Sequence, residues 1–100
     1  MGYHKGEFHI RRADNKLEKE SGWIDETNTY GFHKLMKPNG RVFKWVATDL
    51  KTGLRVCAGA TRTDCASWIV QNEDLIKLQR SKPEYQKHMA WYRETRDNKA

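Results

Sequence analysis

The sequence predicts an α+β fold: a three-stranded antiparallel sheet with a helix packed on one face, extended by a C-terminal helix. Three observations carry this. Lys37-Pro38-Asn39-Gly40 and Asp49-Leu50-Lys51-Thr52-Gly53 have the composition of tight hairpin turns and separate three runs of alternating residues. Thr61-Arg62-Thr63-Asp64 then offers helix N-caps, with Asp64 suited to the positive end of a helix. Finally, Ser81-Lys82-Pro83-Glu84 reads as a capping box with an early-turn proline, the signature of another helix start.

Residues 1–22 form an N-terminal segment outside that core. Glu7 to Arg12 alternate and permit a short strand with Phe8 and Ile10 on one face. Ala13 to Glu20 is charged and helix-compatible over one or two turns, with Gly22 placed as its C-terminal cap. Asp25-Glu26-Thr27-Asn28 reads as a turn, after which the first main strand runs from Tyr30 to Lys37. The second, Arg41 to Thr48, puts Phe43, Trp45 and Ala47 on the core face and Val42, Lys44, Val46 and Thr48 on the other.

Gly53 suits the left-handed position that closes the second hairpin, and the third strand runs from Leu54 to about Ala60. Its inward set is Leu54, Val56, Ala58 and Ala60, small enough for a helix to lie close; Arg55, Cys57 and Gly59 face out. That helix reaches about Asn72, with Cys65, Trp68 and Ile69 as its buried stripe. Beyond it, Glu73 to Gln79 either continues with a bend or begins another turn carrying Leu75, Ile76 and Leu78. The βββα core thus spans 30–80 and the last helix 81–96, with Tyr85, His88, Met89 and Tyr92 as its stripe; residues 97–100 are a mobile tail.

One hundred residues make one small domain, and four Trp, four Tyr and three Phe supply its core despite a hydrophobic share of 37% and a mean hydropathy of -0.98. No apolar run approaches the roughly 20 residues that span a bilayer. The first residues lack the apolar stretch of a signal peptide, and Gly6 stands where an acylation motif needs Ser or Thr, so a cytoplasmic protein is expected. Cys57 and Cys65 form no Cys-x-x-Cys pair and His4, His9, His33 and His88 are scattered, which favours reduced, partly buried thiols and no metal site. A phosphate-binding glycine loop and any recognisable nucleophile constellation are missing too, so neither catalysis nor a cofactor is expected.

Charge is the informative feature. Tyr30 to Thr63 holds Lys34, Lys37, Arg41, Lys44, Lys51, Arg55 and Arg62 against Asp49 alone, a balance of +6 that equals the whole net charge of the chain. These cations alternate with Tyr30, Phe32, Phe43 and Trp45, and a basic aromatic sheet suits a polyanion. A positive solvated face on an ordinary small domain has the same composition. The strand reading sets Lys34, Lys44 and Arg55 side by side on the face away from the helix. Like charges so placed repel by a few tenths of a kcal/mol per pair, a cost that a bound anion would remove.

Trp45-Val46-Ala47, then Lys51-Thr52-Gly53-Leu54-Arg55-Val56, Gly59, Thr63 and a helix with Ala66 resemble two groups of small DNA-binding domains: the plant ethylene-response-factor class and the arm-binding N-terminal domains of phage tyrosine integrases. The resemblance implies a sheet laid in the major groove of duplex DNA, with Lys34, Arg41, Lys44 and Arg55 touching bases or phosphates, and a phage or mobile-element setting. A double-stranded RNA-binding domain also ends in three strands and a helix, but it would carry an N-terminal helix and a basic cluster at its second helix, where this chain has Asp64. The rival expectation is a small interaction factor, a phage-type adaptor or inhibitor of a host enzyme. It would dock a protein partner through Trp23, Tyr85, Met89, Trp91 and Tyr92, partly on the C-terminal helix.

Overall fold

Five strands, two more than expected, form one antiparallel meander in sequence order: β1 (Tyr3–Arg11), β2 (Leu17–Asp25), β3 (Tyr30–Met36), β4 (Val42–Asp49) and β5 (Arg55–Gly59). Three helices follow, α1 (Arg62–Gln71), α2 (Glu73–Arg80) and α3 (Pro83–Asp97). The structure, a computed structural model, describes residues 2–97. The α+β class holds; the three-stranded sheet is corrected to five strands.

The two added strands are the highly charged ones. The short strand expected from Glu7, with Phe8 and Ile10 on one face, falls within β1 and both side chains are buried, whereas β2 stands where a helix was expected. Ala13 to Glu20 is not helical: its first part turns the chain, with Asn15 at φ 61° and Arg12 N–H donating to Lys16 O at 2.8 Å, and Leu17 onward is β2. Its charges pair across the hairpin instead of along a helix, Lys19 with Glu7 at 3.7 Å and Arg12 with Glu18. Gly22 lies inside β2 and caps nothing; it pairs with Gly6 of β1.

That glycine pair lets the hairpin bend. A Cβ at position 22 would lie 2.1 Å from the Phe32 carbonyl oxygen, and one at position 6 would lie 2.8 Å from Ile24 Cδ1. Beyond the bend the hairpin folds across the sheet. Phe8 presses on Gly31, where a Cβ would meet its ring at 2.8 Å, and its centroid lies 6.0 Å from the His33 ring. At the far end Arg11 N–H donates to Gly53 O in the β4–β5 turn at 2.8 Å. Phe8, Ile10 and Leu17 are all buried, worth about 6 kcal/mol together at roughly 2 kcal/mol per side chain. Under them lie His33, Val46 and Thr48, all buried on the face predicted to be open.

The other face carries Phe32, Ala47 and Cys57, packed against Cys65 of α1, with Tyr3, Trp23, Tyr30, Trp45, Val56 and Ile69 around them. The inward set of β5 is thus corrected: Cys57 is buried while Ala58 and Ala60 are exposed. The cause is a bulge. Ala47 pairs with Cys57 but Thr48 pairs with Arg55, so Val56 is the extra residue and the alternation breaks there. A second bulge between Leu35 and Met36 leaves Phe43 without a β3 partner, and Phe43 is 57% exposed, not core.

The local signals near both turns hold: Gly40 and Gly53 have φ of 85° and 74°. Thr61 caps α1, its hydroxyl accepting from Asp64 N–H at 3.0 Å. The helix does stop at Asn72, and Glu73 opens a separate α2. Ser81 caps the end of α2, its hydroxyl donating to Leu78 O at 2.6 Å, so the expected capping box gives way to a helix that starts at Pro83 itself. Helix α3 docks back on the sheet with Tyr92 buried. It includes Asp97, and residues 98–100 of the expected tail lie outside the described residues. No helix among the described residues is long and apolar enough to cross a membrane.

Candidate nucleic-acid interface

Seven cations from one sequence stretch end up in three places. Lys34, Lys37, Arg41 and Lys44 belong to the β3–β4 ribbon and its turn. Lys51 and Arg55 sit at the opposite end of β4 and β5. Arg62 begins α1 and stacks on Tyr3, with its guanidinium carbon 4.4 Å from the ring centroid, and on Trp23 at 5.3 Å. The side-by-side row of Lys34, Lys44 and Arg55 does not form. Lys34 pairs with Trp45 and so points to the helix side, whereas Lys44 pairs with Leu35 and Arg55 with Thr48 on the other side.

The ribbon is the densest of these groups. Its turn is held by Lys37 N–H donating to Arg41 O at 2.8 Å and by Asn39 Oδ1 accepting from Arg41 N–H at 3.0 Å. The bulge at Phe43 turns that ring outward between two ammonium groups, Lys37 at 5.7 Å and Lys44 at 5.2 Å from its centroid. Met36 and Val42, cross-strand partners, are 55% and 42% exposed beside it. The ribbon therefore presents a short apolar stripe flanked by Lys37 and Lys44, with Arg41 in its turn and Lys34 on its other face.

None of the seven cations makes a salt bridge among the described residues, although Arg12, Lys19, Lys77, Arg80 and Arg96 elsewhere all do. The positive charge of the ribbon is thus uncompensated within the fold, and its field extends into solvent to about one Debye length, ~8 Å at physiological salt.

At the foot of the ribbon lies a cleft of about 610 Å³, where β2 departs from β3. Trp23 and Trp45 line it, each under a lysine: Lys5 is 5.3 Å from the Trp23 ring and Lys34 is 5.4 Å from the Trp45 ring. His33 also lines it, and burial holds that imidazole below its ordinary pKa, with Arg12 and Arg55 adding to the effect against Glu20. A second hollow, of about 510 Å³, opens between the helices and β5, but its polar groups Asp49, Tyr85 and Arg80 are engaged with one another.

The residues expected to dock a protein are mostly committed inside the chain. Tyr85 donates to Asp49, Tyr92 is buried, and Trp91 lies under the Arg11 guanidinium at 4.0 Å. Trp23 is covered by Lys5 and Arg62, and Met89 lines a shallow hollow with Lys51. Sequence reasoning placed the ribbon cations correctly on one hairpin but missed the outward turn of Phe43 and the contribution of Lys5 and His33. A bulge leaves no mark in residue type, and Lys5 stood in a segment with no assigned partner.

Among the described residues no group of three or more His, Cys, Asp or Glu could hold a metal ion. No protein-family model, curated protein or solved structure matches this chain.

Proposed function

We propose that this chain is a duplex DNA-binding module whose contact element is the β3–β4 ribbon and its turn. The observation that carries this is the exposed Phe43 between Lys37 and Lys44, on a ribbon that also bears Lys34 and Arg41, four cations that make no salt bridge among the described residues. A major groove ~12 Å wide admits a two-stranded ribbon, and apolar residues at its tip can meet base edges or wedge a step. Lysine and arginine on its flanks would neutralise phosphates and release counterions. The module as proposed acts in the cytoplasm, binds without catalysis and needs no cofactor.

The test is fluorescence anisotropy of labelled duplex DNA at two salt concentrations. Four neutralised phosphates imply a slope of about −3.6 in log affinity against log salt, or roughly a hundredfold loss between 50 and 200 mM. The variant K37A/R41A/K44A should bind weakly with a slope flatter by nearly 3, while Lys51→Ala and Arg55→Ala at the other end of the sheet change little. Unchanged affinity in the triple variant would sink the ribbon assignment.

A protein partner is the second reading, favoured by a different observation: Trp68, Leu75 and Leu78 on α1 and α2 are exposed, and Trp68 and Leu75 line the same hollow. Binding that ignores salt and survives the triple variant would support that surface instead.

A further inference from the structure

The ladder between β2 and β3 holds two residue pairs, Trp23 with Phe32 and Ile24 with Gly31, whereas β1 and β2 pair along their whole length. From Gly22 back to Leu17 the strand has left the sheet, and β3 beyond Phe32 has no β2 partner. The opening is the cleft of about 610 Å³, lined among others by Lys5, Ser21, Trp23, His33, Lys34 and Trp45. His33 is only 3% exposed: its ring packs beside Phe8 and its Nδ1 is shut off from solvent, so the ring offers a ligand no polar contact.

We infer that this cleft is a nucleotide subsite: it takes one unpaired nucleotide, with its base against the indoles of Trp45 and Trp23 and its phosphate on Lys5 and Lys34. The inference rests on the nucleic-acid reading of the ribbon, with which the cleft shares Lys34 and Met36. Its chemistry comes from three features. Indoles are the strongest stacking platforms for bases. The two ammonium groups already lie over those rings on flexible stems, so an entering base can displace them toward its own phosphate. The acids at the rim are Glu7, paired with Lys19 at 3.7 Å, and Glu20, whose Oε1 accepts from Ser21 N–H at 3.3 Å.

The chain has four tryptophans, so its proton–nitrogen correlation spectrum carries four indole signals, assignable with Trp23→Phe and Trp45→Phe. The full chain is titrated with tetrathymidylate, with a tetranucleotide of the same backbone lacking bases, and with thymidine monophosphate. Tetrathymidylate should move the Trp23 and Trp45 signals and leave those of Trp68 and Trp91 in place. The base-free strand should bind about tenfold more weakly and move those two indole signals less. Lys5→Gln with Lys34→Gln should cost about tenfold in tetrathymidylate affinity without lowering the melting temperature. If the monophosphate alone gives the same shifts at similar concentration, the subsite serves free nucleotides; if the tetranucleotide is required, it serves a strand. Equal movement of the cleft signals by the base-free strand, or none with any ligand, overturns the inference. The K37A/R41A/K44A variant separates the two readings, because it should lose duplex binding and keep the tetrathymidylate shifts.

Discussion

The Tyr85 hydroxyl donates to Asp49 Oδ2 at 2.6 Å and so joins α3 to the end of β4 across 36 residues. Asp49 is buried, accepts Lys51 N–H at 2.9 Å within its own turn, and has the Arg80 guanidinium at 3.5 Å. One carboxylate thus closes the β4–β5 turn and fastens two helices to it. Replacing Tyr85 with Phe removes one hydrogen bond to an ion and leaves its other partners in place, so a loss of about 1.5 kcal/mol is expected in urea unfolding. Asp49→Ala should cost more than twice that, since it frees a backbone N–H and a guanidinium together. Equal effects would show that the turn does not depend on the carboxylate.

The same contact makes stability fall at alkaline pH. Burial first, and then the hydrogen bond to Asp49, push the Tyr85 phenol above its ordinary range, and burial does the same to Tyr30 and Tyr92. A phenol with a raised pKa in the folded state holds its proton more tightly there than in the unfolded chain. Its contribution is complete below the unfolded value of about 10 and is lost as pH rises past it toward the folded value. Unfolding free energy should therefore decline above pH ~10, and less steeply in Tyr85→Phe than in the parent. Identical slopes in the two proteins would remove Tyr85 from this account.

Gly22 should tolerate no side chain. Its added Cβ would strike backbone, the Phe32 carbonyl at 2.1 Å, and backbone cannot swing aside as a flexible side chain can. Gly22→Ala should either straighten the hairpin, exposing Phe8, Ile10 and Leu17, or displace β3, at a cost of about 3 kcal/mol or more. Hydrogen exchange would distinguish the two, by fast exchange confined to β1 and β2 or spread into β3. Gly40→Ala is the control, since nothing lies within 4 Å of its Cβ and only its φ of 85° is penalised.

Why β2 was illegible, and β1 legible only from Glu7 onward, while the next three strands were readable follows from where their stability resides. Gly40, Gly53 and Thr61 act within a few residues, through positive φ or a single cap, and such signals survive in sequence. Leu17-Glu18-Lys19-Glu20 has a local preference for helix; what makes it a strand is Lys19 meeting Glu7, Gly22 meeting Gly6 and Phe8 reaching Gly31, all long-range. The same holds for the site. Lys37, Arg41 and Lys44 could be placed on one hairpin from its turn, but the two bulges, at Phe43 and Val56, decide which rings and cations face outward, and alternation is blind to an extra residue.

Neither cysteine should react in the folded chain. Burial pushes the Cys57 thiol up to about 12, with Cys65 beside it adding to the effect, and burial raises Cys65 as well. Each sulfur also points at a carbonyl, Cys57 Sγ at Cys65 O and Cys65 Sγ at Trp45 O, both at 3.6 Å. At pH 8 the thiolate fraction of Cys57 would be about one in ten thousand. Ellman's reagent should therefore titrate no thiol in buffer and both in denaturant. Labelling in buffer within minutes would mean that α1 lifts off β5 far more often than the whole chain unfolds.

Phe43 offers the cleanest separation of binding from stability. A ring 57% exposed, on a bulge at a hairpin tip and touched chiefly by two lysines, contributes little to the fold, so Phe43→Ala should change unfolding free energy by no more than about 0.5 kcal/mol. If the ribbon enters a DNA groove, the same substitution should weaken duplex binding about tenfold while leaving the salt slope intact, because it removes an apolar contact and no phosphate contact. The charge variants should do the reverse, flattening the slope. Aromatic and cationic contributions to one interface are thereby read on two axes, affinity at fixed salt and its derivative with salt. A Phe43→Ala protein that keeps full affinity would leave the ribbon as a purely electrostatic contact, its exposed ring a spacer that holds Lys37 and Lys44 apart.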